Sequence, residues 1–91
     1  MSLFLPNKRE MVISDGLNRA VRDQALELHV QPIICLETGD VSGWESLLRY
    51  THPRLGPVAP MEFIPIAERT GAILEIGTWV VNAACEWRAQ M

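Results

Sequence analysis

No apolar run in these 91 residues approaches the ~20 residues that a membrane-spanning helix requires. The N-terminus also lacks the basic start and long apolar centre of a signal peptide. A soluble, cytoplasmic segment with no membrane contact is therefore expected. Basic residues are few: eight Lys and Arg against eleven Asp and Glu give a formal net charge of -3. With no basic stripe to supply phosphate contacts, a nucleic-acid duplex is excluded as the general partner, although a small phosphorylated ligand held by one or two placed charges is not. Cysteine is scarce as well. Cys35 and Cys85 have neither the CxxC spacing of a zinc or redox site nor the density of a disulfide scaffold, so both read as reduced core thiols. Repeats, low-complexity tracts and linkers are missing. What is present, 48% hydrophobic residues with 21% charged and three Trp, describes a globular chain of one small domain or part of one.

Residues 1–10 have no period and read as a lead-in whose Met-Ser-Leu opening resembles an expression leader. From about Met11 to Asp23, Ile13, Leu17, Ala20 and Val21 follow helical spacing, which predicts an amphipathic helix weakened by Gly16. Ala25 to Leu36 alternates and predicts a first strand, in which Pro32 holds Gln31 extended. Glu37 to Asp40 has the composition of a tight turn and implies an antiparallel hairpin with the next strand. After Tyr50, a Pro-rich loop carries His52, expected to be solvated, and leads to Pro60 at the first position of a new helix. Phe63, Ile64 and Ala67 give that helix a short apolar face, interrupted by Pro65 and stopped by Gly71. From Ala72 to Met91 a wide stripe including Ile73, Ile76, Val80 and Trp87 predicts a last helix buried on more than one side. An order of helix, strand, strand, helix, helix leaves both sheet edges open, so further strands are wanted.

The second strand carries the chemistry. Over Gly43 to Tyr50, an otherwise buried-looking run, Glu45 and Arg49 fall on one face with Val41, Gly43 and Leu47, while Trp44, Ser46, Leu48 and Tyr50 fall on the other. Their Cα atoms lie about 13 Å apart at the usual strand rise, too far for a simple ion pair. Each needs its own partner. A carboxylate within an apolar strand is costly to desolvate unless it is paired or coordinated, the bland alternative being an edge strand whose charged face is wet.

From Ala25 to about Met91 the chain resembles the EAL domain family, the bacterial cyclic di-GMP phosphodiesterases. The family pattern of the type LHYQP is matched by Leu28-His29-Val30-Gln31-Pro32, with Val30 replacing the usual aromatic. The signature EALLRW is matched by Glu45-Ser46-Leu47-Leu48-Arg49-Tyr50, with Ser46 in place of Ala. The run HPxxGxVxPxxFIPxAExTGxI corresponds to His52 through Ile73, including Gly56, Pro60, Pro65, Glu68 and Gly71.

The resemblance implies an α/β fold: the N-terminal portion of a modified TIM barrel of about 250 residues, incomplete as a barrel, with 11–91 as the first part of a single domain. It implies hydrolysis of cyclic di-GMP to linear pGpG with Mg²⁺ or Mn²⁺. Carried over residue by residue, Glu45 is a metal ligand, Arg49 contacts a substrate phosphate and Gln31 hydrogen-bonds the substrate, while Glu68 makes a local structural hydrogen bond. Family members draw their remaining metal ligands from later strands, so this chain alone is expected to be inactive. The alternative is a degenerate module that binds cyclic di-GMP or a protein partner without turnover. Trp44, Leu48, Trp79, Val80 and Trp87 lie on faces that a full barrel covers, which makes a homo-oligomer the expectation for the isolated chain.

Overall fold

The computed structural model describes residues 7–90. Helix α1 spans Lys8–Leu17, strand β1 Leu26–Ile34, β2 Val41–His52, β3 Gly56–Val58, helix α2 Pro60–Thr70 and α3 Ala72–Ala89. The strands form one antiparallel sheet in the order β1-β2-β3, which does not close on itself.

The first helix starts earlier and ends earlier than its apolar spacing predicts. The Asn7 side-chain oxygen accepts the Glu10 N–H at 2.8 Å, so the last residues assigned to the lead-in form an N-cap and a first turn. The Asn-x-x-Glu spacing held that signal. After Leu17 the chain continues in tight turns: the Arg19 N–H donates to Gly16 at 3.0 Å, and the Ala20 N–H to Leu17 at 3.3 Å. These turns keep Ala20 buried although the helix has ended, and Gln24, at φ 55°, redirects the chain into β1. At the far end of β1 the pairing shifts between Ile33 and Ile34, and the chain crosses to β2 through a turn containing Gly39 at φ 76°.

Two further differences lie between Thr51 and Thr70. The expected loop contains β3, whose Val58 pairs with Tyr50 and whose Gly56 pairs with His52. Its Pro57 stands on the open edge of the sheet, where a missing N–H costs no ladder bond. Pro65 does not interrupt α2, which runs unbroken to Thr70. The carbonyl freed by its missing N–H belongs to Met61, on the wet side of the helix. Gly71, at φ 85°, then ends α2 and begins α3, as the sequence predicts.

The core gathers at one end of the sheet. Ile13 and Leu17 of α1, Leu26, Tyr50 and Val58 of the sheet, Phe63, Ile66 and Ala67 of α2, and Ile76 of α3 are buried together. The Arg9 guanidinium grips Glu62 through two hydrogen bonds of 2.7 and 3.0 Å, tying α1 to α2 and holding the Glu62 carboxyl below its ordinary range. Helix α3 fully buries only Ile76, with Leu74 and Val81 exposed, so burial on several sides is not met among the described residues. The hairpin end, with Ile33, Ile34, Leu36 and Val41, stands in solvent.

His52 is not a solvated loop residue. It closes β2 and is buried, with its Nδ1 accepting the N–H groups of Arg54 and Leu55 at 3.0 and 3.2 Å. The ring thereby caps the turn into β3. Tyr50, in edge-on contact with Phe63 at 5.4 Å, has its hydroxyl against Gly16, and burial pushes the phenol up, so it stays protonated. A Cβ at Gly16 would meet His52 Cδ2 at 2.6 Å and the Tyr50 hydroxyl closer still. Glycine here is required by close approach of helix to strand, not by backbone angle. Gly16→Ala gains about 1 kcal/mol of helix propensity but forces two buried rings to move, a larger cost of about 2–3 kcal/mol. Its thermal unfolding midpoint, followed by circular dichroism, should fall by several degrees; an unchanged or raised midpoint would contradict the tight contact.

Candidate functional site

The antiparallel register decides which residues meet. Gln31 is paired directly with Glu45, His29 with Leu47 and Glu27 with Arg49. Directly opposed residues share a face and stand about 4.5–5.5 Å apart, so Gln31 and Glu45 lie side by side, with Arg49 four residues further along β2. The other face of the same two strands carries Leu26, Leu28 and Val30 opposite Tyr50, Leu48 and Ser46. That face is backed by helices: Trp44 packs edge-on against Trp87 of α3 at 5.2 Å, and Leu48 packs against the core. Alternation thus separates a polar ladder from an apolar backing within one hairpin.

The polar face is wet. Gln31, Glu45 and Arg49 are all exposed, and their side chains make no hydrogen bond or ion pair among the described residues. The reading of Gly43 to Tyr50 as a buried strand is therefore corrected. Only Tyr50 is buried within it, so water meets the desolvation demand that a buried Glu45 would carry. A carboxylate, an amide and a guanidinium, all uncommitted and all turned the same way, can take a cation, a hydrogen-bonding group and a phosphate respectively.

The motif reading gives no role to two polar residues of this face. Glu27 and His29 share it, and the His29 Nε2 lies 3.0 Å from the Glu27 Oε2. The signal for them is present in the sequence: positions 27, 29 and 31 alternate with Leu26, Leu28 and Val30. Glu68 is placed otherwise than expected. It is exposed on α2, and its side chain makes no hydrogen bond among the described residues. The cysteines are free, but neither is a core thiol: Cys85 is exposed and Cys35 half-buried in the hairpin turn, where a hydrogen bond with Thr38 draws its thiol below its ordinary range.

Glu45 suits a hard divalent cation through its free carboxylate, and Gln31 is its direct partner across the ladder. Among the described residues, however, no group of three or more His, Cys, Asp and Glu comes together to hold a metal ion. The two residues fit part of a coordination shell rather than a complete one.

The profile of the EAL domain matches residues 14–91. Over 78 residues the chain is 38% identical to MucR of Pseudomonas aeruginosa, a bifunctional diguanylate cyclase/cyclic di-GMP phosphodiesterase, with 86% of this chain and 11% of that protein covered. It is 42% identical over 83 residues to the cyclic di-GMP phosphodiesterase NbdA of the same organism, covering 91% of this chain and 11% of NbdA. It is also 42% identical over 87 residues to the oxygen sensor protein DosP of Escherichia coli, again covering 91% and 11%. Among solved structures, the PaMucR phosphodiesterase in complex with c-di-GMP superposes with a TM-score of 0.73 at 41% identity, covering 80% of this chain and 30% of that one. The cGMP-bound form of the EAL enzyme Bd1971 superposes with a TM-score of 0.70 at 33% identity, covering 84% and 20%. The chain thus spans about a tenth of the length of these curated relatives.

The direct opposition of Gln31 and Glu45 is open to a chemical test. In a chain with Cys35→Ser and Cys85→Ser, the pair Gln31→Cys and Glu45→Cys should form a disulfide on mild oxidation, because opposed Cα atoms fall within disulfide reach. Gln31→Cys with Arg49→Cys should not. Equal cross-linking of both pairs by mass spectrometry would show the register to be wrong.

Proposed function

The chain belongs to the EAL domain family, and on that premise we propose that it is the first part of a domain that hydrolyses cyclic di-GMP to linear pGpG. EAL homologues are cyclic di-GMP phosphodiesterases. The observation that carries the reading is the ladder itself: Gln31 beside Glu45, and Arg49 on the same face, all without partners among the described residues. In this reading residues 11–91 are the N-terminal part of one cytoplasmic EAL domain. Among the described residues, no helix is long and apolar enough to cross a membrane.

Glu45 serves as one carboxylate ligand of Mg²⁺ or Mn²⁺. Such a cation supplies charge neutralisation at the phosphodiester and acidifies the attacking water. Arg49 presents two parallel N–H groups to phosphate oxygens, fixing the substrate along the strand direction. The Gln31 amide, level with Glu45, hydrogen-bonds the substrate close to the cation and limits how the phosphodiester turns there. The separation of about 13 Å between Glu45 and Arg49 lets a dinucleotide engage both at once.

Two of these roles differ in kind and separate by kinetics. In the complete protein, Glu45→Ala should abolish pGpG formation at saturating Mg²⁺. Arg49→Ala should chiefly weaken substrate binding, by about ten-fold or more, as expected for a lost charge-assisted hydrogen bond. Full activity of Glu45→Ala would remove the metal role. The 91-residue chain by itself should yield no pGpG above its own Glu45→Ala control, because one carboxylate cannot hold the ions that two-metal hydrolysis requires.

The isolated chain is proposed to self-associate. Trp44 is 47% exposed and, among the described residues, the outer edges of β1 and β3 are unpaired, which offers apolar area and backbone groups to a second copy. Sedimentation across a dilution series should show a dimer or larger species, and a well-folded monomer at micromolar concentration would overturn this.

A further inference from the structure

Glu27 stands directly across the ladder from Arg49 and does not pair with it. Opposed residues of opposite charge on one face of an antiparallel hairpin ordinarily attract, and Glu27 is the acid placed to take this guanidinium. The other acid on this face of the ladder, Glu45, is four residues along the strand, about 13 Å away. The Glu27 carboxylate is instead engaged along its own strand, where Oε2 lies 3.0 Å from the Nε2 of His29. That nitrogen donates whether the ring is charged or is the neutral Nε2–H form, so the hydrogen bond does not depend on protonation of the ring. The Glu27 side chain is 72% exposed and that of His29 47%, so packing leaves the Glu27 carboxylate room to turn. The hydrogen bond is what fixes the direction in which the carboxylate points.

We propose that His29 is a positioning residue for Arg49: by holding Glu27 along β1, it keeps the guanidinium free for a phosphate oxygen of the substrate. The inference rests on the reading of Arg49 as the phosphate contact. Removing the His29 ring releases Glu27 to turn across the ladder, where it becomes an internal competitor for the two N–H groups that phosphate uses. A phosphate must then displace a carboxylate before it binds. An exposed ion pair shifts such an equilibrium by about two- to fivefold, and salt screens it.

The test uses the complete protein and two readouts: the Kd for cyclic di-GMP in metal-free, low-salt buffer, and the separation of KM from kcat with Mg²⁺ present. His29→Ala should raise Kd and KM by about two- to fivefold with kcat unchanged, and the rise should shrink as salt is added. His29→Gln, whose amide can still donate to Glu27, should stay near wild type. Adding Glu27→Gln to His29→Ala should remove the defect, because the competitor is gone; loss of a direct contact between His29 and substrate would not be rescued in this way. Unchanged binding in His29→Ala, or a double variant as weak as His29→Ala, overturns this inference alone. Unchanged binding in Arg49→Ala overturns the reading of Arg49, and this inference with it.

Discussion

The pairing register of β1 with β2 is the constraint on which the rest of this structure depends. Side chains alternate across a strand with a period of two, so a slip by one residue would carry Glu45 and Arg49 to the helix-backed face and Trp44 and Tyr50 to the open one. The register is pinned most firmly at one end. There Tyr50 is driven into the core between Gly16 and Phe63, and Leu26, its partner across the ladder, is buried with it. At the other end the pairing shifts at Ile33 and Ile34 and the apolar residues are exposed, so that end contributes little to specifying the register.

Order at the Tyr50 end comes from groups that do no chemistry. The His52 ring accepts two backbone N–H groups and closes the β2–β3 turn, β3 covers the flank of Tyr50 through Val58, and the Arg9–Glu62 ion pair joins the two helices above. Arg49 is the neighbour of Tyr50 in the chain but faces the opposite way. A position set by buried packing on one side of a strand therefore fixes an exposed cation on the other, the arrangement by which a rigid scaffold presents a binding group. Gly16 belongs to the same arrangement, because any side chain there would push on Tyr50 and His52 together.

Much of this was legible in the sequence, and for physical reasons. Period-two alternation placed Glu45 and Arg49 on one face, Pro60 marked the start of α2 and Gly71 its end, because each of those residues restricts or frees the backbone in a way only a few local structures accept. Motif likeness then led to the EAL family. The capping role of Asn7 and the alternation of Glu27 and His29 were also present as patterns, although short ones. By contrast β3, three residues of which one is proline, has no period to detect.

By itself the sequence determined the elements with strong local signals, the polar and apolar faces of the hairpin, and the family, since these follow from spacing and backbone preference along one segment. Which residues meet was settled by the three-dimensional packing: Gln31 beside Glu45, Glu27 turned to His29 with Arg49 unpaired among the described residues, His52 buried rather than solvated, and Gly16 placed against Tyr50. Each depends on contacts between segments far apart in the chain, where cross-strand register and available space outweigh local propensity, and a single strand or helix carries no record of its partner.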